Sequence, residues 1–411
     1  MASCSSLTRL DLANSELENE HLPALRQVLG QTPHLLHLDL CANELSDGHT
    51  LPLEQCGQLQ WLGLSMNGLV ALPPGLSTLS NLTLLLIGSN CLETTPPALR
   101  RLRHLVELDL GSNQIPHIPP WISELTALRV LGLRSTSRRH APPAAAADGF
   151  AVAIPDLSSL HLEELDLSDC DLWDCHIPPW LVLIESLTAL DISENHLNSF
   201  PLLPGQLPRL ERLCLHNQGP WEGDQPLPGS EGAAEMYLLQ GGLFQVPSGV
   251  AGLQRLKKLS LDATVVGSWP SSLTVPGGAG AGAGGEREVE FTGRIGAGAG
   301  VEGGSGAQGQ GLAGGEKLQE LQYLSLTGTG LRGIPSFVPC LRSLLTLNLS
   351  TNSLTALAAE LAVLTSLTYL SAAHNHLSCV PAFIGRLGEL RELHVAHNHI
   401  IAVSRAIFEV I

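Results

Sequence analysis

Two tripeptides, His374-Asn375-His376 and His397-Asn398-His399, stand 23 residues apart. If successive chain units stack, His374 comes beside His397 and His376 beside His399. Imidazoles at such a spacing are potential ligands of a transition metal. Both pairs also flank an asparagine at exposed positions, and this plainer reading is preferred: no metal site is expected. Gly280-x-Gly282-x-x-Gly285 matches a dinucleotide fingerprint in letters only. No strand precedes it and no helix follows, and a Gly-Ala tract generates such matches by chance. The chain has nine cysteines and sixteen histidines, but no Gly-x-Ser-x-Gly elbow, Walker A loop or His-Glu-x-x-His. No catalytic residues and no cofactor are expected, and the chain reads as not an enzyme.

The spacing that separates the histidine pairs runs through the whole chain. Leu-x-x-Leu-x-Leu-x-x-Asn-x-Leu appears at Leu35, Leu38, Leu40, Asn43, Leu45, then at Leu59, Leu62, Leu64, Asn67, Leu69. It returns at Leu82, Leu85, Ile87, Asn90, Leu92 and at Leu105, Leu108, Leu110, Asn113, Ile115. A fixed period of this size means a solenoid, each unit burying its apolar face against its neighbours. Leu-x-Leu alternation makes a short strand with leucines inward. Proline in the later half, as at Leu72-Pro73 and Ile118-Pro119, ends the strand and starts a turn or short helix on the outer side. The asparagine should turn inward to satisfy buried backbone groups. Ser15, Thr136, Cys170, Gln218, Gly241, Thr264 and Thr329 replace it, and Gly241 cannot do its work.

The period predicts one solenoid over residues 1–411, of about fifteen units. One of these is a decayed unit starting at Ala233, with Met236, Leu238 and Leu243 at its apolar positions. The first step is longer, and Glu18 to His34 looks helical. Two stretches interrupt the period: an insertion loop at 137–156, and a Gly/Ala-rich insertion at 277–315. The latter cannot bury enough apolar surface to offset chain entropy and is expected to be disordered.

Hydrophobic residues make up 44% of the chain and aromatics only 4%, so leucine must build the core. A formal net charge of -17 argues against nucleic acid and anionic membrane as partners. No apolar run is long enough to span a bilayer. The first twenty residues lack a secretory h-region, and the cysteines are dispersed without Cys-x-x-Cys pairs or terminal clusters. A reducing, cytoplasmic setting is expected, with the cytoskeleton or a ciliary axoneme as the alternative.

The outward strand positions carry the binding signal. They hold Asp11, Asp39, Asp109, Asp166 and Asp191 in the first half, and Ser260, Ser325, Asn348, Ser371 and His394 in the second. All three tyrosines, Tyr237, Tyr323 and Tyr369, fall at outward positions, as does Trp61. Tyr and Trp are enriched in binding hot spots. Trp61, Asp109, Asp166, Asp191, Tyr237, Tyr323, Tyr369 and His394 are therefore the candidate partner-binding residues of the concave face. Trp121 and Trp180, after Pro-Pro, are expected to pack in the outer half.

The motif resembles the leucine-rich repeat family over most of the chain. The 23-residue unit with its Leu-Pro step resembles the intracellular Ras-group, and the longer first repeats resemble those of ribonuclease inhibitor. The resemblance implies an α/β curved horseshoe. A parallel sheet would line the concave face, with short helices, 3-10 turns and irregular segments on the convex face. It also implies a non-enzymatic interaction scaffold whose protein partner is a small GTPase or another signalling protein. Two other readings stay open: the recognition segment of a larger immune-type receptor or a cytoskeletal or axonemal component, and the repeat region of an enzyme whose catalytic domain lies outside this chain.

Overall fold

The computed structural model describes residues 6–46, 48, 51–136, 153–217, 244–264, 266–270, 273 and 318–403. Strands of two or three residues recur along the chain, those of the large sheet in step with the leucine motif. They are β1 (Arg9–Asp11), β2 (His37–Asp39), β3 (Trp61–Gly63), β4 (Leu84–Leu86), β5 (Glu107–Asp109), β6 (Val130–Gly132), β7 (Glu164–Asp166), β8 (Ala189–Asp191) and β9 (Arg212–Cys214). After β10 (Phe244–Gln245) come β11 (Lys258–Ser260), β12 (Val266–Ser268), β13 (Tyr323–Ser325), β14 (Thr346–Asn348) and β15 (Tyr369–Ser371). The last are β16 (Cys379–Val380), β17 (Glu392–His394) and β18 (Ala402–Val403). Fourteen of them form one open parallel sheet in the order β1 to β9, β11, β13, β14, β15, β17. The pairs β10–β12 and β16–β18 form separate two-stranded ladders.

The register aligns the middle leucine of each strand with that of the next, as in Leu108↔Leu131↔Leu165↔Leu190. Those middle leucines are buried, while the residues on either side face the opposite way. Register continues across the long gaps: β6 pairs with β7, and β11 with β13. The expected insertion at 277–315, and residues 137–152 of the expected loop at 137–156, lie outside the described residues. At the end of that loop, Ala153 bridges His117.

Among the described residues the sheet has fourteen strands. Arg212–Cys214 pairs directly with Lys258–Ser260, and the unit expected from Ala233 begins outside the described residues. Met236, Leu238, Gly241 and Leu243 lie outside the described residues. The segment after them supplies the outer half of the repeat that β9 begins, through β10 and a 3-10 helix at Ser248–Gly252.

The outer side follows the proline rule. Pro73, Pro96, Pro119, Pro178, Pro247 and Pro381 each hold extended backbone immediately before a five-residue 3-10 helix. Proline's fixed φ and missing N–H suit that entry position. The first long repeat carries instead the α-helix α1 (Leu22–Leu29), which buries Leu22, Leu25 and Leu29. Trp121 and Trp180 pack against the core from this side.

Asparagines knit the repeats together. Asn90 Nδ2 donates to Leu64 O and Ile87 O, each at 3.0 Å, and its Oδ1 accepts from Leu69 N at 3.1 Å. Asn67, Asn113, Asn195, Asn352, Asn375 and Asn398 make the same kind of set. Where asparagine is replaced, Thr264 Oγ1 reaches Leu215 O at 3.0 Å, and the Cys170 thiol donates to Leu133 O at 3.0 Å. The residue before the asparagine position is left-handed in repeat after repeat, for example Ala42, Met66, Ser89 and Thr351, with φ between 54 and 58°.

Candidate protein-binding face

Each strand of the large sheet projects two side chains onto the open face, one on either side of its middle leucine, so the sheet carries two rows. Trp61, Tyr323 and Tyr369 stand in the first row. Asp109, Asp166, Asp191 and His394 stand in the second. Tyr237 lies outside the described residues. Asp166 and Asp191 are direct register partners, and Asp109 is separated from Asp166 by Gly132. Tyr323 and Tyr369 flank β14. The candidate residues therefore fall into three groups along the sheet: Trp61 toward one end, the aspartates in the middle, and the tyrosines with His394 toward the other end.

The aspartates have a local role as well as an exposed side. Asp109 Oδ1 accepts from Gly111 N at 2.8 Å, and Asp166 and Asp191 accept from the N–H groups of Ser168 and Ser193, each at 2.9 Å. Asp39 does the same for Cys41. Each carboxylate thus holds the backbone where the strand ends, and keeps its charge on the open face. None of Glu107, Asp109, Asp166 and Asp191 forms an ion pair among the described residues. Glu164 is bonded to Arg212 at 2.7 Å, and Arg134 to Glu194 at 3.2 Å.

Burial on the face pushes the Asp109 and Asp166 carboxyls above their ordinary range, against the hydrogen bonds that oppose the shift. Glu107 is raised by burial and by the neighbouring charges of Glu164 and Asp109. Burial likewise pushes the Cys41, Cys170 and Cys214 thiols up to about 12. That is opposite in sign to the shift that activates a nucleophilic cysteine.

In the second half, the neutral outward positions are more enclosed than their spacing implied. Ser260, Ser325 and Ser371 are buried. Ser325 donates to Asp262, and Ser371 shares a hydrogen bond with Ser350 at 2.6 Å. Lys258 Nζ lies 5.0 Å from the centre of the Tyr323 ring, a cation–π contact. Tyr369 and His394 have ring centres 5.1 Å apart.

The histidine pairs come together as the spacing implied. His374 and His397 stack at 4.1 Å with 12° between planes, and His376 and His399 at 5.6 Å and 7°. Rings stacked in parallel aim their nitrogen lone pairs alongside one another, not at a common point. Among the described residues no group of three or more His, Cys, Asp or Glu is placed to hold a metal ion.

An apolar component of the face was missed by sequence reasoning. Leu84 and Leu86 of β4 both project onto it, half-buried, beside Trp61 of β3, which stacks on His37 at 3.9 Å. The signal was present: Leu84-Leu85-Leu86-Ile87 is continuous where a strand with one solvated face should alternate. Glycines were missed too. A Cβ built on Gly132 would stand 2.9 Å from Asp109 Oδ1, and one on Gly88 would stand 2.6 Å from Asp109 Oδ2. Their lack of side chains makes room for the half-buried carboxylate. The result is a trough of about 700 Å³ running from Leu86 past Asp109, Val130 and Glu164 to Asp191 and Lys258.

Comparison with known proteins agrees with this architecture. A Leucine rich repeat family model matches residues 57–115 and 319–377, and a second matches 161–182. The fold is similar to an LRR protein of Leptospira interrogans, with TM-score 0.66 and 23% identity over 99% of this chain and 88% of that one. It is also similar to an internalin from Listeria monocytogenes, with TM-score 0.60 and 17% identity over 94% and 89%. A TDR receptor superposes with TM-score 0.57 and 21% identity over 96% of this chain and 56% of its own. No curated protein matches the sequence. The repeat matches and the shared fold support the leucine-rich repeat family, whose members generally serve as protein-interaction modules. Among the described residues no helix is long and apolar enough to cross a membrane.

Proposed function

We propose that this protein is a non-enzymatic scaffold that holds a signalling protein against its concave face. The observation that supports this most is the trough itself. It combines a half-buried leucine, half-buried carboxylates and positions left small by glycine on a sheet whose backbone groups pair from strand to strand. Such a surface recognises through side chains alone. The 23-residue unit with its Leu-Pro step supports the intracellular Ras-group subtype, a small GTPase or other signalling protein as the partner class, and a cytoplasmic setting.

The test is chemical cross-linking with mass spectrometry on the full chain purified from its own cells, followed by titration of the recovered partner. Tyr323→Ala and Tyr369→Ala are each expected to weaken binding by about 2 kcal/mol if they serve as hot spots. Ser336→Ala, on the outer side, is expected to change nothing. Cross-links confined to the outer side, with full affinity in both tyrosine variants, would reject the reading.

A further inference from the structure

The open face between β4 and β7 is banded. Along both rows the side chains run apolar, acidic, apolar or absent, acidic: Leu84 and Leu86, then Glu107 and Asp109, then Val130 and Gly132, then Glu164 and Asp166. Neighbouring strands lie roughly 4.8 Å apart, so each kind of band recurs after roughly 9.6 Å. In an α-helix, residues three to four apart share a face and rise about 5 Å, and a heptad rises about 10.5 Å. An extended segment, with same-side residues about 6.8 Å apart, falls out of step with the bands after one repeat.

We infer that this trough receives an amphipathic cationic helix of the partner, lying across the strands. Its apolar residues, seven apart, would rest on Leu86, with Leu84 beside it, and on Val130, and its arginines or lysines, midway between them, on Glu107 and Asp109 and then on Asp166. The inference rests on the scaffold reading above and names the partner's chemistry. Charge complementarity selects this occupant: in a chain of net charge -17, Glu107 and Asp109 sit on the face without a cationic partner among the described residues, while Glu164 already pairs with Arg212 and Arg134 lines the same trough, so the first acidic band carries the open charge. Gly88 and Gly132 make room for the Asp109 carboxylate in the floor of the trough. The raised carboxyls of Glu107, Asp109 and Asp166 mark charges that a cation would relieve.

The probe is a synthetic helical peptide of about eighteen residues, with leucine every seventh position and arginine pairs midway between, in an alanine–glutamine background. It is titrated by fluorescence anisotropy against the full chain, beside a scrambled peptide of identical composition. The patterned peptide is expected to bind at least tenfold more tightly than the scrambled one. Glu107→Gln with Asp109→Asn should weaken it at least tenfold. The Asn substitution keeps the strand-end hydrogen bond, since Asn348 already makes that bond to Ser350 N at 3.1 Å. Gly132→Ala, which crowds Asp109, should weaken it as well.

Equal binding of patterned and scrambled peptides, no binding of either, or indifference to the charge-removing pair would overturn the inference. The natural partner separates this failure from that of the scaffold reading. If its binding falls with Leu84→Ser and Leu86→Ser but not with the charge-removing pair, the scaffold reading stands and the cationic helix does not. If it ignores every concave substitution, both fall.

Discussion

The Asp109 carboxylate accepts a hydrogen bond from the backbone N–H of Gly111 at 2.8 Å, and so holds the chain where β5 ends. Asn348 does the same for Ser350 with an uncharged amide. The charge of Asp109 is thus separable from its structural work. Asp109→Ala is expected to lower stability by about 1 kcal/mol, the usual net worth of such a bond, while Asp109→Asn leaves it unchanged or slightly raised. Urea unfolding checks both; equal losses would show that the charge itself stabilises the turn.

The acidic face gives stability a pH dependence of defined sign. Glu107, Asp109 and Asp166 hold their protons more tightly in the folded chain than in the unfolded one. Between the ordinary carboxyl pKa of about 4 and the raised folded values, the folded state therefore binds more protons. Their contribution to stability declines as pH rises through that window, and the deficit persists above it. Combining Glu107→Gln, Asp109→Asn and Asp166→Asn should raise the melting temperature at neutral pH and shrink the advantage near pH 4. A larger gain in acid than at neutrality would reverse the assignment.

Leu347 is fully buried between its neighbours, and Asn348, the next residue, faces the open side. Leu347→Asp should cost about 4 kcal/mol or more, because it buries an unpaired charge. Asn348→Asp should be nearly silent, since a carboxylate accepts the Ser350 N–H as an amide does. Circular dichroism melts of the two variants give the comparison; similar losses would show a strand register shifted by one residue.

Thr351 has φ 57°, a left-handed conformation that β-branched residues rarely adopt. The equivalent residue one repeat earlier is Gly328, with φ 67°. Thr351→Gly should relieve roughly 1 to 2 kcal/mol of strain, less the added freedom of glycine in the unfolded chain. A net gain of roughly 0.5 to 1 kcal/mol is expected by denaturant titration. A loss would mean that the threonine side chain supplies a contact worth more than its strain.

The strands were legible because leucine alternation and the 23-residue step leave a three-residue strand little freedom of register. Between Leu213 and Leu259, which pair directly, counting alone does not say how the intervening stretch is arranged, because an insertion as long as one unit has the arithmetic of a unit. On the face, the aspartates could be assigned outward from their position. Their bonds to the N–H two residues on could not, because these depend on how the chain turns after the strand. Leu84 and Leu86 were hidden in plain view, inside an apolar run that read as core.

The asparagine bonds give the array a direction. Asn67 reaches back to Leu40 O and receives Leu45 N, both in the preceding repeat, and Asn398 likewise receives Leu377 N. Each unit is therefore completed by its successor. As the chain leaves the ribosome, the newest repeat holds a buried N–H with no acceptor until the next asparagine arrives. Folding should advance one unit behind synthesis, and removing repeats from the C-terminal side should leave a different defect from removing them at the N-terminal side: a backbone donor without its acceptor in the first case, an asparagine left only with the bonds inside its own repeat in the second.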